Sequence, residues 1–569
     1  MRRWALMKFT ALLSFFLAFA LIAQEQSQSG LRLEADRAMV AQPERAQKAM
    51  VTTTNEYATL AGIEILKKGG NSVDAAVAVA FALAVVHPEA GNLGGGGYLL
   101  VRMADGRAKL IDYGARAPMA SKPGVFANAN EAATGYKSIA VPGTPDGMAV
   151  AHKLFGKLPW KTVLEPARRL ARDGFAASQR MELILKLQVP VMRPFADSAR
   201  IFLHGSDQPL KQGELVKQPE LAATLGRMQK AGGREFYEGE TGRRFAADMQ
   251  ANGGLITAAD LKDYKAIVRD PLETSYRGFP ILTSAPSSSG GMAIIEMLNI
   301  IENFPMQLGM EGSAQHRHIQ VEAMKRAFRD RLLYAGDPDY VSVPAAKLTS
   351  KDYAREIAAT IALDRATPSR ELGDLPKDLE ALTGESEDTT HFSIVDAEGN
   401  IISNTYTLSG FYGSQVVAKG TGVLMGNIYG AFSNSGRKVL AAGNRPPSTM
   451  SPTIILNKEK QAWFALGSPG GATIPNTLIE VIMNVIDFKM SLRDAIEFPR
   501  VHHQYLPDRI EAEPGAIAFE VAEKLKSLGQ TLSTRYRSQG DVHAVMIEAK
   551  SGWRLGWSDG RRGGKVMGY

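Results

Sequence analysis

The chain contains no cysteine among its 569 residues. Disulfide bonds, thiolate metal ligands and a lipid-modified cysteine are therefore excluded. The sequence also lacks a Pro/Ser-rich linker, an internal repeat and a run of charges of one sign. Its 66 basic and 59 acidic residues leave a formal charge of +7, a mild and interspersed excess that indicates no nucleic-acid partner.

The length and the apolar content set the size of the folded unit. At roughly 150 residues a domain, the chain could hold about three or four domains, but a single large α/β unit is a common exception. Hydrophobic residues make up 45% of the sequence, which is ordinary for a globular protein with a large core. We therefore expect one or more well-packed domains that need no disulfide for stability.

The N-terminus has the layout of a secretory signal peptide, which we assign to residues 1–23. A basic start precedes an apolar run, Phe9 to Ala23, and small residues then lead into a polar stretch. Cleavage could follow Ala20 or Ala23. An uncleaved membrane anchor is the alternative, although the run is shorter than the roughly 20 residues of a spanning helix. Export without disulfides predicts a secreted protein, in the bacterial periplasm.

The segment Asp388 to Asp396 resembles a junction that is cut before Thr389. A threonine hydroxyl is a weak nucleophile, and one known solution is to use the α-amino group of the same residue as the base. That amine titrates near pH 8, so a useful fraction is unprotonated at neutral pH. The chain must then be broken before Thr389, and the same hydroxyl can break it by attacking the Asp388 carbonyl. The alternative interpretation is that this segment merely begins an alternating strand.

Local patterns predict two helices and a hairpin. The first helix covers Tyr57 to Lys68 and ends at a glycine pair. The second covers about Ser72 to Val86, is apolar on every side and must be buried in protein. His391 to Asp396 and Ile401 to Leu408 alternate as the two strands of a hairpin. The hairpin brings Thr407 back toward Thr389, where a plain cross-strand threonine pair remains an alternative.

Further motifs follow Thr389 in a fixed order, and others precede it. The downstream motifs are Asn404 to Leu408, Arg445 to Thr453, Gly467 to Gly471 and Pro499 to Gln504. The upstream motifs are Gly69 to Ala76, Gly94 to Tyr98, Val141 to Gly143, Pro286 to Gly291 and Ala327 to Arg331. In order and rough spacing they resemble the small and large subunits of the γ-glutamyltranspeptidases, also called glutathione hydrolases, a family of N-terminal-nucleophile hydrolases.

This resemblance implies an α/β fold of four layers, an αββα sandwich formed by two fragments of one chain. Cleavage between Asp388 and Thr389 would give a large subunit, residues 24–388, and a small subunit, residues 389–569. Thr389 would be the nucleophile, and Thr407 would hydrogen-bond its hydroxyl. Gly470 and Gly471 would supply the backbone N–H groups that bind the oxyanion, although a Gly-Ser-Pro-Gly-Gly turn by itself is usually just a turn.

The residues expected to bind the glutamyl head group of a substrate differ from those of the family. A substrate α-carboxylate calls for an arginine, and an α-amino group calls for carboxylates. The expected Arg-Glu pair is replaced by Gly114 and Ala115, and Arg116 could substitute if the loop is rearranged. In the small subunit the changed positions are Ile428 and Ala431, where carboxylates are expected, and Ser409, where an asparagine is expected. Ser448 and Thr449 match the two hydroxyls expected near the α-carboxylate.

The resulting function hypothesis is a self-processing amidohydrolase or acyltransferase that acts on a γ-glutamyl or related amide. Its acceptor would be water, an amino acid or a peptide, and glutathione would be a poor substrate. One alternative is an acylase-type hydrolase of a non-glutamyl amide or a γ-linked oligomer. A less favoured one is a non-catalytic binding protein of the same fold.

We expect no cofactor and no metal. The glycines Gly94 to Gly97 could suggest a phosphate cradle, but the Lys-Ser/Thr of a P-loop does not follow them, so they predict a tight packing turn. His502 and His503 could suggest a metal site. Adjacent residues point apart, however, and the sequence shows no second group of ligands.

Overall fold

The computed structural model describes residues 42–122, 124–203, 207–373, 388–433 and 441–569, although not the side chains of residues 431 and 433. The signal peptide assigned to residues 1–23 lies outside the described residues, as does the side chain of Ala431. Residues Glu44–Tyr569 cluster as a single unit.

The described residues contain 21 strands. In chain order, β1–β21 are Glu44–Ala46, Met50–Thr53, Gly96–Arg102, Ala108–Tyr113, Phe175–Ala176, Leu215–Val216, Ile267–Arg269, Leu272–Tyr276, Phe279–Thr283, Asp388–Val395, Ile401–Ser409, Val417–Ala418, Val423–Leu424, Thr453–Leu456, Ala462–Leu466, Val501–His502, Ile510–Ala512, Leu532–Tyr536, His543–Ile547, Arg554–Ser558 and Lys565–Gly568.

The same residues contain 18 α-helices. In chain order, α1–α18 are Glu56–Lys67, Ser72–Val86, Ala129–Ala133, Thr144–Phe155, Trp160–Asp173, Gln179–Met192, Ala196–Phe202, Pro219–Ala231, Glu235–Glu238, Glu240–Ala251, Ala258–Asp263, Gly290–Ile301, Ala314–Tyr334, Ala345–Leu348, Lys351–Ala358, Thr473–Ile486, Leu492–Glu497 and Phe519–Ser527. Three short 3₁₀ turns cover Tyr136–Ser138, Ser369–Leu372 and Ile428–Ser433.

Two seven-stranded antiparallel sheets form the centre of the fold. The order of the first is β1-β20-β19-β15-β14-β9-β8, and that of the second is β21-β2-β10-β11-β3-β4-β7. The hairpin of β10 and β11 therefore lies in the middle of the second sheet, with a partner strand on each side. Each sheet mixes strands from before and after Thr389, so neither sheet can be completed by one half of the chain alone.

Alternation along the central strands places apolar side chains in two cores. Leu99 and Val101 of β3 face the helices α1 and α2, whereas Tyr98 and Leu100 belong to the core between the sheets. Strands of the first sheet close that inner core, and α12, α13 and α16 cover its far side. The layers are thus helix, sheet, sheet, helix, which confirms the αββα fold.

The apolar helix α2 begins with a side-chain cap. The Asn71 side chain accepts hydrogen bonds from the backbone N–H groups of Val73 and Asp74, both at 3.0 Å, and the Asp74 carboxylate accepts from the Asn71 N–H at 3.0 Å. This is a capping box, and all residues of the helix are buried. The prediction of Ser72 to Val86 is confirmed to the residue, and the first helix is confirmed within one residue at each end.

The turn of the central hairpin is tied to this helix. Asp396 accepts hydrogen bonds from the Ser72 N–H at 2.8 Å and from the Asn400 N–H at 3.0 Å. A carboxylate at a helix N-terminus is favourable, because it meets unsatisfied N–H groups and the positive end of the helix dipole. The predicted hairpin is confirmed, with β10 beginning three residues earlier, at Asp388.

A buried pair of carboxyl groups joins α12 to α13. Glu296 and Asp330 are almost fully buried, and Asp330 also accepts a hydrogen bond from the Tyr353 hydroxyl and pairs with Arg329 at 3.2 Å. Burial, together with the neighbouring Asp330, raises the pKa of Glu296 well above its ordinary value. Glu296 therefore keeps its proton to a higher pH in the folded protein than in the unfolded chain.

This raised pKa predicts a pH-dependent stability. Above about pH 4.5 the unfolded chain releases the Glu296 proton while the folded chain keeps it, so stability falls as the pH rises toward the raised pKa. Glu296→Gln should remove that loss, and its melting temperature should fall less than that of the wild type between about pH 5 and about pH 9.

Glu356→Gln is the matched control, because it makes the same change at an exposed position of α15. Its melting temperature should follow the wild type across the same range. Parallel curves for wild type and Glu296→Gln would contradict a buried, protonated Glu296.

Candidate active site

The bond between Asp388 and Thr389 lies inside the second sheet. Asp388 is 8% exposed and Thr389 6% exposed. Asp388 pairs with Ser409 and Thr390 pairs with Tyr406, so the register shifts between them. Two residues of β11 therefore lie opposite the single residue Thr389. This mismatch is a β-bulge beside the Asp388–Thr389 bond. Bulges commonly occur next to active sites, where they re-aim a side chain.

Thr407 lies directly across from this bond. Its hydroxyl donates a hydrogen bond to the carbonyl oxygen of Asp388 and accepts one from the Ser409 N–H at 2.8 Å. The family resemblance implies instead a contact with the Thr389 hydroxyl. In the uncut chain, Thr407 is thus placed on the carbonyl that a Thr389 attack would require, and its role toward the Thr389 hydroxyl stays a prediction.

Gly95 explains how Thr407 comes so close to its neighbours. A Cβ atom added at Gly95 would lie 2.1 Å from the Thr407 carbonyl oxygen, which no side chain could tolerate. The run Gly94 to Gly97 is therefore a close-packing turn at the start of β3, as predicted. It lets β3 lie against the end of β11.

Hydrogen bonds around a buried histidine hold β10 in place. No role was predicted for this histidine from the sequence. His391 is fully buried, with hydrogen-bond contacts to the hydroxyls of Thr405 at 2.8 Å and Ser393 at 2.9 Å. Ser393 in turn donates to the His543 carbonyl at 2.9 Å, which links the two sheets. Burial, together with His543, holds the pKa of His391 well below its ordinary value, so the ring is neutral. Side chains alternate along a strand, so His391, two residues after Thr389, lies on the same face as Thr389. This spacing is the sequence signal that could have identified it.

Gly470 and Gly471 precede helix α16 in backbone conformations that favour glycine, with φ values of 132° and 57°. Within the described residues, no acceptor takes a hydrogen bond from either N–H group. Thr449 donates to the Gly471 carbonyl at 2.9 Å, and the Ser448 carbonyl accepts from the Ser289 N–H at 2.7 Å. These contacts hold the glycine turn beside the segment that carries the two predicted substrate-binding hydroxyls.

Two of the positions that depart from the family pack together. Ala115 and Ile428 belong to a single buried apolar cluster, together with Ala117, Ala140, Tyr429 and Phe432. At Gly114, an added Cβ would lie 3.3 Å from both the Arg445 side chain and the Asp112 carboxylate. Ala115 and Ile428 are therefore enclosed by apolar packing, and Gly114 lies beside the Arg445–Asp112 ion pair.

Arg116 and Ser409 are the other two residues predicted to bind substrate. The backbone of Arg116 pairs with Val141, and its buried Nε finds no hydrogen-bond acceptor among the described residues. Ser409 ends β11 with a φ of 83°. Their substrate-binding roles stay predictions.

A small pocket opens onto the Asp388–Thr389 bond. Of the residues assigned from the sequence, Asp388 and Thr389 line it. The other lining residues are Thr54, His87, Ala90, Arg180, Phe411 and Arg562. These residues could not be predicted from the sequence, because they come from segments that only the tertiary fold brings together.

The side chains of the two adjacent histidines of the C-terminal region have different hydrogen-bond partners. His502 contacts the Asn476 amide at 2.7 Å, and His503 contacts the Asp508 carboxylate at 3.2 Å. Across the described ranges, no group of three or more histidine, aspartate or glutamate side chains could hold a metal ion.

Comparison with known proteins agrees with this architecture. The family model for gamma-glutamyltranspeptidase matches residues 58–569. A glutathione hydrolase proenzyme of Escherichia coli (strain K12) is 38% identical over 538 residues, covering 91% of each chain. An acylase ACY 1 proenzyme of Pseudomonas sp. (strain V22) is 36% identical and covers 88% of this chain and 90% of its own.

Among solved structures, a cephalosporin acylase from Bacillus halodurans superimposes with a TM-score of 0.81 at 27% identity, covering 93% of this chain and 97% of its own. The sequence match extends over nearly the whole chain, and the structural match has the same layered fold. The chain therefore belongs to the gamma-glutamyltranspeptidase family, whose enzymes use an N-terminal threonine as the nucleophile.

Proposed function

We propose that this protein is a self-processing N-terminal-nucleophile amidohydrolase or acyltransferase that acts on a γ-glutamyl or related amide through an acyl-threonine intermediate. The observation that carries the proposal is the contact across the hairpin bulge. The Thr407 hydroxyl donates to the carbonyl oxygen of Asp388, immediately before Thr389. A hydrogen-bond donor is thus already placed where negative charge develops when that carbonyl is attacked.

Self-cleavage would start with attack of the Thr389 hydroxyl oxygen on the Asp388 carbonyl carbon. A C–O bond forms, the hydroxyl proton passes to the departing nitrogen, and the peptide C–N bond breaks to leave an ester. Water then hydrolyses the ester, which frees the Asp388 carboxylate and restores the Thr389 hydroxyl. Thr389 gains a free α-amino group by this sequence.

Turnover uses that new amine. It accepts the Thr389 hydroxyl proton while the oxygen attacks the substrate amide, and the N–H groups of Gly470 and Gly471 would bind the oxyanion. The amine part of the substrate leaves with the proton, and water or an amino-group acceptor then releases the acyl group. Ser448 and Thr449 would hold the substrate beside the glycine turn.

The product of maturation would be a heterodimer of residues 24–388 and 389–569. Both fragments contribute strands to each sheet, so the cut chain stays together. Removal of residues 1–23 during export would place the enzyme in the bacterial periplasm. No helix within the described residues is long and apolar enough to cross a membrane.

A second candidate is an acylase with a non-glutamyl substrate. It is favoured by the apolar cluster that includes Ala115 and Ile428, because such a surface offers no partner to an α-amino group. Losing a charged hydrogen bond commonly costs about 1.5–3 kcal/mol, so a glutamyl donor would bind weakly.

The first test is Thr389→Ala. This variant should remain one chain on a denaturing gel, while the wild type separates into two fragments of the sizes set by the Asp388–Thr389 junction. Edman or mass analysis of the small fragment should give Thr389 as its N-terminus. An uncut wild type, indistinguishable from Thr389→Ala, would instead support a non-catalytic binding protein.

The second test is Thr407→Val, which keeps the shape of the side chain but removes its hydroxyl. Loss of one donor to the attacked carbonyl should slow self-cleavage by roughly ten- to a hundredfold, measured as the gel fraction cut against time. Thr407→Ser is the matched control, because it retains the hydroxyl and should cleave at a rate near that of the wild type. Equal rates for valine and serine would remove Thr407 from the mechanism.

The third test separates the two candidate substrate classes. We expect the purified, cleaved protein to hydrolyse glutathione and γ-glutamyl anilides at least roughly tenfold less efficiently than its best acyl anilide, since the loss of one charged contact accounts for that factor. A panel of chromogenic γ-glutamyl, aliphatic and dicarboxylic acyl anilides measures this directly. Rapid glutathione turnover would contradict the weak-recognition argument.

A further inference from the structure

Two arginines from distant parts of the chain line the pocket at Thr389. Arg180 belongs to the first turn of α6, and Arg562 lies just before the last strand, β21. Neither stands at a position where the family resemblance places a recognition residue. A guanidinium is always charged and presents a planar fork of N–H donors that matches a carboxylate.

Arg180 is only partly neutralised by its surroundings. Its Nε lies 3.4 Å from the Glu89 carboxylate, which also pairs with His87 at 3.0 Å. Burial alone would raise the pKa of Glu89, but His87 and Arg180 outweigh it and hold that pKa at about 2. Glu89 is thus ionised and fixes Arg180 from behind. Within the described residues, this ion pair is the one polar contact of the Arg180 side chain, which is 29% exposed.

Phe411 fixes the same guanidinium from another side. Its ring centre lies 5.9 Å from the Arg180 Cζ, a cation–π distance, and Phe411 also lines the pocket. Arg180 is therefore held by Glu89 and Phe411 with its terminal N–H groups available to a ligand. A preorganised guanidinium loses less conformational entropy when it binds a carboxylate.

The charge balance of the pocket changes when the chain is cut. In the uncut chain, Glu89 pairs with Arg180, and Asp388 lines the same pocket as the two arginines. Glu89 is buried behind Arg180, whereas Asp388 lines the pocket and ends the large subunit after cleavage. Cleavage frees Asp388 from Thr389, and departure of this new terminus from the pocket would remove a negative charge from beside the two arginines.

We infer that Arg180 and Arg562 are specificity residues that bind a carboxylate of the amide substrate, at the place that Asp388 occupies before cleavage. The inference rests on the proposed function, since it concerns the substrate of Thr389. It assigns the enzyme an anionic amide as its substrate and moves anion recognition from position 114 to positions 180 and 562. Phe411 adds an apolar wall for the carbon chain beside the carboxylate.

The experiment compares acids with their neutral carboxamides on the cleaved enzyme. In one arm the carboxylate is on the acyl part of the substrate. This arm compares glutaryl p-nitroanilide with the p-nitroanilide whose free glutaryl carboxylate has been converted to a carboxamide. In the other arm the carboxylate is on the amine part, as an N-acyl 4-aminobenzoate against the N-acyl 4-aminobenzamide. The wild type should favour the acid in one arm by roughly ten- to a hundredfold in kcat/KM, and the arm identifies which part carries the carboxylate.

Arg180→Met and Arg562→Met should each lower that acid-to-carboxamide ratio about tenfold or more, mainly through KM, and the double variant should abolish it. Arg193→Met is the matched control, because Arg193 follows the same helix α6 but pairs with Asp207 outside the pocket, at 3.1 Å. Its ratio should equal that of the wild type. Arg180→Lys keeps the charge without the fork, and its ratio should be intermediate.

The possible outcomes distinguish a failure of this inference from a failure of the proposed function. A wild type that is cut and active but treats acids and carboxamides alike in both arms would overturn the inference and leave the proposed function standing. A preference for acids that survives the double variant would do the same. A wild type that is never cut would instead remove the proposed function, and the gel shows this before any substrate is added.

Discussion

The antiparallel pairing of β10 with β11 is the constraint on which the rest of the site depends. This hairpin occupies the middle of the second sheet, so its register is enforced by β2 on one side and β3 on the other. The register breaks at one point, opposite Thr389, and the break aligns the Thr407 hydroxyl with the Asp388 carbonyl. A one-residue slip would reverse the faces of every side chain in the hairpin.

The surrounding layers hold the hairpin in that position. Helix α2 contributes its N-terminus to Asp396 at the turn, and the His391–Ser393 network attaches the outgoing strand to the first sheet. Gly95 allows β3 to approach the Thr407 backbone at a distance that forbids any other residue. The reactive bond is thus fixed from three directions by backbone contacts and buried hydrogen bonds.

Much of this arrangement follows from local sequence patterns. The hairpin and helix α2 could be predicted because each is decided by residues close together in the chain. The run Gly94 to Gly97 predicts a tight packing turn, but only the fold shows that Thr407 is its neighbour. The bulge at Thr389 could not be predicted, since alternation continues through it and only the pairing with β11 reveals the extra residue. The family resemblance supplied the layered fold, which no local pattern determines.

The residues that line the pocket could not be predicted from the sequence either. Arg180 and Arg562 are separated by most of the chain, and their proximity is a product of tertiary packing alone. The joint packing of Ala115 with Ile428 is similar: each substitution is visible in the sequence, but their union in one apolar cluster is not. Residues that act through long-range contacts carry no periodic or spacing signal.

The burial of the Asp388–Thr389 bond also bears on quality control. A buried bond at the start of a central strand is out of reach of an ordinary protease, and its reactive geometry exists once strands from both halves of the chain have been assembled. Maturation by this route would be a unimolecular event whose rate does not change with dilution. The cut would then serve as a permanent chemical record that the molecule had folded correctly, and misfolded chains would remain inert.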